Sequence, residues 1–226
     1  MLEFKNDKEL FAMMKKELYT AVVGDIMDKM GLQHQFLPPH IRPLKDDMIL
    51  VGRAMTVREA DIGEVPEGEL HGKAFGRMLE ALDDLKEDEI YVCSGCSHNY
   101  AVLGELMTLR AKYLKAGGAV LNGYLRDTHG ILATGLPVFS LGSYAQDQAP
   151  RGMVLAYREP IVFGDVTINP GDILFGDIDG VLVIPREHEK EVLEKAYEKA
   201  TGEKTVGQAL MNGVSTVDAF AQYGIM

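Results

Sequence analysis

The chain has 226 residues, 46% of them hydrophobic and 25% charged, enough to bury one full core and unlike a disordered, collagen-like or disulfide-rich protein. A formal net charge of −11 with a pI near 5.0 opposes phosphate backbones and anionic membranes, so no direct nucleic-acid partner and no membrane partner is expected. The N-terminus is charged and amphipathic and no stretch reaches the ~20 apolar residues of a membrane span, so a cytoplasmic location is expected.

Two N-terminal helices are predicted over about 7–31. Leu10, Met13, Met14 and Leu18 recur at helical spacing, and a second helix from about Thr20 ends at Gly31, a residue suited to the left-handed position after a helix. Pro38, Pro39 and Pro43 force extended or turned backbone ahead of a strand predicted from Ile49 to Val57, where Val, Met and Thr are frequent. Residues 61–72 mix Gly, Pro and Glu without periodicity and read as a connection. A helix from Lys73 to Leu85, a strand from Glu89 to Cys93, a helix from about Glu105 to Ala116 and a strand from Ala119 then alternate. Between Pro160 and Pro185 short apolar runs are separated by Gly-Asp, Asn-Pro-Gly-Asp and Asp-Gly, the turn pattern of a β-meander. The C-terminal part, about 187–226, holds a charged helix from Glu187 to about Thr201 and an apolar tail, Phe220-Ala-Gln-Tyr-Gly-Ile-Met226, that is expected to dock, with Phe220 and Tyr223 offering apolar surface for a neighbouring copy. No repeat or composition break marks a boundary, so one α/β domain over 1–226 is expected.

The helix from Glu105 carries the most chemical content. Leu106, Leu109, Tyr113 and Ala116 share one face, which makes that face the expected packing side. Glu105 suits the positive N-terminal end, and Arg110, Lys112 and Lys115 suit the other. The unbonded N–H groups of its first turn can hold a carboxylate or phosphate, and Gly104 lets a ligand come close. The strand after Gly117-Gly118 ends in Arg126-Asp127, at the strand end where α/β proteins tend to place sites. Local reasoning leaves both roles open for this pair: site residues, or an N-cap aspartate beside a surface arginine. Glu105 is open in the same way, between a site carboxylate and a favourable first-turn residue.

Other candidates carry less. Cys93 and Cys96 form one Cys-x-x-Cys with no second pair to complete a zinc site, and are read as packing residues. His34, His40, His71, His129 and His188 make no metal-spaced pair, and His129 is the one nearest Arg126-Asp127. Asp177-Ile-Asp-Gly180 lacks the downstream Glu of a calcium loop and reads as a β-turn. Neither Gly-x-Gly-x-x-Gly nor a P-loop occurs.

Five runs in order, Gly24-Asp-Ile-Met-Asp28, Gly117-Gly-Ala-Val-Leu-Asn-Gly-Tyr-Leu-Arg-Asp127, Pro137-Val-Phe139, Arg151-Gly152 and Pro170-Gly-Asp-Ile-Leu-Phe-Gly-Asp-Ile-Asp-Gly-Val181, resemble the RraA-like family. That family includes 4-hydroxy-4-methyl-2-oxoglutarate aldolases, some with oxaloacetate decarboxylase activity, and the regulator of ribonuclease activity A. The resemblance implies a layered sandwich of β-sheets and helices, and a class II pyruvate aldolase acting on 4-hydroxy-4-methyl-2-oxoglutarate or a related 2-keto acid. It implies Mg²⁺ or Mn²⁺ held by Asp127, Arg126 on the pyruvyl oxygen, and the substrate carboxylate on the backbone of Gly104, Glu105, Leu106 and Met107. Glu105 then orients a water of the metal and moves the proton. The aldolase pattern has an acid, twenty intervening residues and Arg-Asp; here the acid is Glu where the pattern has Asp, one methylene longer. The resemblance further implies a homotrimer or homohexamer whose neighbouring subunit adds an acidic residue that no single position here matches. The alternative is a non-catalytic regulatory binding protein, whose members have Gly at the place of Glu105 and an acid at the place of Gly130; both positions favour the enzyme. A methyltransferase reading finds no nucleotide-type glycine loop after any predicted strand.

Overall fold

The structure, a computed structural model, describes residues 4–225. Asn6 caps the first helix by accepting the Glu9 N–H on its side chain. The helix α1 (Asp7–Glu17) is followed by α2 (Thr20–Lys29), which ends at Met30 and a Gly31 in the left-handed region, φ 83°. Then come β1 (Arg42–Pro43), β2 (Leu50–Asp61), α3 (Met78–Asp83), β3 (Glu89–Ser94), β4 (Ala101–Leu103) and α4 (Glu105–Tyr113). They are followed by β5 (Gly118–Leu121), β6 (Tyr124–Leu125), α5 (Thr128–Thr134), β7 (Val138–Ser140) and β8 (Gly152–Tyr157). The last third holds β9 (Ile161–Phe163), β10 (Val166–Ile168), β11 (Ile173–Asp177), β12 (Gly180–Ile184), α6 (Glu189–Met211) and α7 (Thr216–Tyr223). No described helix is long and apolar enough to cross a membrane.

The main sheet has eight strands in the order β1-β7-β5-β3-β2-β11-β12, with β8 also paired to β2. β2, β3, β5 and β7 run parallel, and the remaining pairings are antiparallel. The parallel strands β3 and β5 are covered on both faces, which is why they read as continuous apolar runs. Along β3 the side chains alternate: Ile90 and Val92 pack with Phe139 and Phe163 inside the curved sheet, while Tyr91 and Cys93 pack with Leu82, Leu103 and Ile131 beneath α3, α4 and α5. A third cluster seats α1, α2 and α6 on Phe175 and Ile184. The sheet nearly closes, because Arg42 of β1 donates from Nη1 to the carbonyls of Ile178 and Asp179 in the β11–β12 turn, at 3.0 Å each.

Several expectations are corrected. The helix predicted from Lys73 shrinks to α3, because Phe75 and Gly76 take positive φ (63° and 61°) and their segment pairs with β8 through Val154 N–H to the Phe75 carbonyl and Arg77 N–H to the Val154 carbonyl. The predicted 49–57 strand runs on to Asp61, where β8 pairs with its second half. The strand leading to Leu125 breaks at Asn122-Gly123, and β6 leaves the main sheet to pair with β4. The apolar face of α4 points outward: Leu106, Leu109 and Tyr113 are exposed, while Thr108 and Ala111 are buried. Small residues let this helix approach the sheet closely, and Thr108 satisfies its hydroxyl on the Glu105 carbonyl at 2.7 Å. The predicted meander is instead two hairpins in different sheets, β9–β10 on its own and β11–β12 in the main sheet. α6 extends past Thr201 to Met211, and the tail docks only in part, with Ala219 buried and Ile225 over Gly202 while Phe220 stays exposed.

Candidate active site

Strand β6 delivers Arg126 beside the N-terminus of α4. The Arg126 N–H donates to the Leu103 carbonyl at 2.9 Å, so Gly104 and Arg126 leave the small β4–β6 pair side by side. Asp127 then turns left-handed, φ 61° and ψ 38°, a conformation that aspartate tolerates better than most residues. It holds the N-cap position of α5 and accepts the Ile131 N–H on its carbonyl at 3.1 Å, but its side chain does not cap that helix. Instead Oδ2 accepts the Glu105 N–H, 3.2 Å away, at the start of α4. The left-handed turn thus aims the carboxylate at the start of α4 rather than at the helix it precedes.

Gly104 leaves room for this approach, since a Cβ there would stand 2.8 Å from Asp127 Oδ2 and the carboxylate would have to shift. Arg126 lies between two acids, with Nη1 3.1 Å from Asp147 Oδ1 and Nε 3.9 Å from Asp127 Oδ2. Gly104, Leu106, Met107, Arg126 and Asp127 all line one hollow of about 390 Å³, together with Asp147 and Gln148. The expected site residues are therefore brought together with one exception. Glu105 is not on the lining, and its carboxyl lies over Gly130 of α5. His129 is exposed on α5 and does not line the hollow either. A second hollow, of about 280 Å³ between α1 and α6, is lined by Asp7 and Glu189, whose carboxylates are both paired with Arg53.

Behind the lining, Gln148 donates from Nε2 to Glu59 Oε1 at 2.6 Å, and both side chains are buried. Burial pushes the Glu59 carboxyl up to about 8. Burial also pushes the Cys96 thiol up to about 12, and Cys93 sits in the core beneath it, so neither cysteine is a ready nucleophile. Asp147, Gln148 and the α3 side of the hollow were not found by sequence reasoning, because they come from segments far from Arg126-Asp127 and belong to no motif.

No group of three or more His, Cys, Asp or Glu able to enclose a metal lies among the described residues. Asp127 nevertheless suits a hard cation. It is a single half-exposed carboxylate, one of whose oxygens is fixed by a backbone N–H, beside an open hollow where water and substrate oxygens can complete an octahedron.

A family model described as RraA-like, Aldolase/RraA, matches residues 20–183. Protein DlpA of Legionella pneumophila is 30% identical over 205 residues, which are 90% of this chain and 32% of that protein, so the chain spans about a third of this relative. A protein of Halalkalibacterium halodurans, provisionally named a 4-hydroxy-4-methyl-2-oxoglutarate aldolase, is 29% identical over 90% of each chain. A solved structure described as novel cellulases from microbes associated with the gut ecosystem is 38% identical, with a TM-score of 0.78 over 90% of each chain.

Proposed function

The chain belongs to the RraA-like family, and from that premise we propose that it is a divalent-metal-dependent aldolase releasing pyruvate from a 4-hydroxy-2-keto acid. The observation that carries the proposal is the Asp127 carboxylate, held by the N-terminus of α4 next to Arg126 at the mouth of an open hollow. Mg²⁺ or Mn²⁺ on Asp127 would supply Lewis-acid stabilisation of the oxygen on which negative charge develops.

The chain's own groups do the rest. The first-turn N–H groups of Leu106 and Met107 have no helical acceptor and bind the substrate carboxylate. Arg126 donates to the C2 keto oxygen and strengthens that bond as an enolate forms. Glu105, whose carboxyl lies over Gly130 outside the lining, acts through a water that it orients; that water takes the C4 hydroxyl proton as the C3–C4 bond breaks, and the bonding pair passes to C3. Return of a proton to C3 completes pyruvate. Oxaloacetate would lose CO₂ by the same enolate without a hydroxyl proton to remove.

The provisional aldolase name of the Halalkalibacterium halodurans protein supports this reading. Glycoside cleavage, which the description of the solved relative suggests, would need two carboxyl groups flanking a sugar ring. Here Asp127 and Asp147 both face Arg126, and the walls are largely alkyl and aromatic side chains. A regulatory role is disfavoured because Glu105 is present and its carboxyl is accommodated against Gly130. The test is pyruvate release from a panel of 2-keto acids with Mg²⁺, with Mn²⁺ and with EDTA. Metal-dependent release is expected, and release unaffected by EDTA would refute the proposal.

A further inference from the structure

We infer that Gln148, held from behind by the buried Glu59, is a substrate-binding residue that takes a hydroxyl carried beyond C4, so that the substrate is a polyhydroxylated 2-keto acid and the second product a hydroxyaldehyde. The inference rests on the aldolase reading above and adds the substrate class to it.

The segment after β7 brings Gln148 to the hollow. Tyr144 N–H donates to the Leu125 carbonyl and Ala101 N–H to the Gln146 carbonyl, each at 2.8 Å, so the segment runs beside β6 and β4. It sets Asp147 against Arg126 and places Gln148 next to it on the lining. Gln148 is fixed through main chain and side chain alike: its backbone carbonyl accepts the N–H groups of Arg151 and Gly152, and its Nε2 donates to Glu59. Only 4% of the residue is exposed, yet its Oε1 has no donor among the described residues and is open to the hollow. A polar atom so placed is met by a ligand or by water.

Glu59 itself is 2% exposed. The ionisable groups around its carboxyl are Asp61 on its own strand, Tyr91 and Cys93 of β3, and Cys96 and Tyr100 beyond that strand, and none of them is a cation. Its hydrogen-bond partner among the described residues is the Gln148 amide, at 2.6 Å. Both side chains are buried within one chain, so neither a cation on Asp127 nor a neighbouring copy is needed to form the pair.

A hydroxyl is the group that answers this amide. Ionised Glu59 accepts from Nε2 and leaves Oε1 toward the hollow, whereas protonated Glu59 can donate to Oε1 and leave the NH₂ there. A hydroxyl both donates and accepts, so it pairs with the amide in either orientation; a carboxylate only accepts, and an alkyl group does neither. An alkyl group here would leave the buried amide unpaired. The C4 hydroxyl is not the partner, because its single proton goes to the water that Glu105 orients. The partner is therefore a hydroxyl further along the substrate.

The chemistry balances without a further reactant. The C3–C4 bond breaks, the C4 hydroxyl proton passes to the water, and C4 leaves as the carbonyl carbon of a hydroxyaldehyde. The electron pair remains on C3 and is protonated to give pyruvate.

The experiment measures pyruvate release by the full chain with Mn²⁺ from 4,5-dihydroxy-2-oxopentanoate and 4,5,6-trihydroxy-2-oxohexanoate, from 4-hydroxy-2-oxopentanoate, which lacks the further hydroxyls, and from 4-hydroxy-4-methyl-2-oxoglutarate. Deuterium exchange into the pyruvate methyl group is followed by NMR in parallel. The better of the two polyhydroxylated acids is expected to exceed the other two substrates in kcat/KM by about ten-fold or more, since the others leave a buried polar group unpaired. Gln148→Leu is expected to bring its ratio to 4-hydroxy-2-oxopentanoate close to one. Glu59→Ala should lower that ratio as well, and Glu59→Gln, which keeps an acceptor for Nε2, should restore it. Weaker Mn²⁺ binding in Gln148→Leu would put the amide on the cation's water and overturn the inference. Exchange without a preference for either polyhydroxylated acid would also overturn it and leave the aldolase reading standing. Neither exchange nor release from any substrate would overturn both.

Discussion

The Glu105 carboxyl occupies the space above the Gly130 Cα: a Cβ at 130 would fall 2.2 Å from Glu105 Cδ and 2.4 Å from Oε2. A side chain at 130 would therefore displace the Glu105 carboxyl from the place it holds. Gly130→Ala is expected to push the Glu105 carboxyl aside and lower kcat for aldol cleavage by about ten-fold or more, with Mn²⁺ affinity unchanged. Steady-state kinetics and calorimetric Mn²⁺ titration check this, and unchanged turnover would remove Glu105 from the mechanism.

Asp127→Asn keeps the shape of the side chain and removes the carboxylate charge that faces the hollow. Cation binding and turnover are expected to fall together, because the other ligands would be water and substrate. Titration of the variant with Mn²⁺ measures the first and pyruvate release the second; full metal-dependent activity in the variant would contradict the assignment.

Arg126→Lys should separate binding from chemistry. The charge stays but the guanidinium fork between Asp127 and Asp147 is lost. Metal affinity is expected to persist while kcat falls by about 10²-fold, the usual size for a lost oxyanion donor. Loss confined to KM would point to ground-state binding instead.

Glu59 gives a prediction about stability. Its carboxyl titrates near 8 when folded, against an ordinary value of 4.5, because of burial. A group with a raised folded pKa binds its proton more tightly in the native state. Its stabilising contribution is therefore complete below about pH 4.5 and is lost as pH rises through about 8. Glu59→Gln, which keeps an acceptor for Gln148, should gain on the order of a few kcal/mol relative to wild type between pH 5 and pH 8. Urea unfolding at the two pH values tests it, and a difference that does not change with pH would rule it out.

We propose that copies of the chain meet through the outward face of α4, forming the trimer or pair of trimers that the family resemblance implies. Leu106 and Tyr113 are 81% and 77% exposed on that face, more than a solvated helix requires of such side chains. Light scattering at micromolar concentration is expected to give three or six copies, and Tyr113→Arg to reduce that number with circular dichroism unchanged. A wild-type monomer would end this proposal.

Much of the fold was legible in the sequence. Leu10, Met14 and Gly31 marked the N-terminal helices through spacing and a left-handed stop, and the Gly-Asp and Asp-Gly turns marked β9 to β12. The short strands β4 and β6 were not legible, because two or three residues carry no period. Nor was the break at Phe75-Gly76, since backbone pairing with β8 is a tertiary effect that overrides helical preference. The outward turn of α4 ran against the usual rule that a helix buries its largest apolar face. In the site, local chemistry left Arg126-Asp127 open between site residues and a cap beside a surface cation, and the family resemblance pointed to them; the structure sets Gly104, Arg126 and Asp127 side by side. Asp147, Gln148 and the α3 wall were hidden because folding alone gathers them.

The rims of the main sheet are already occupied. Gln35 and Leu37 bond along β12, and Phe75 and Arg77 bond along β8, while Arg42 ties β1 to the turn beside β12. These borders therefore offer little bare backbone on which another extended chain could template. The trimer or pair of trimers proposed above would therefore use side-chain surfaces of defined shape rather than open-ended strand addition.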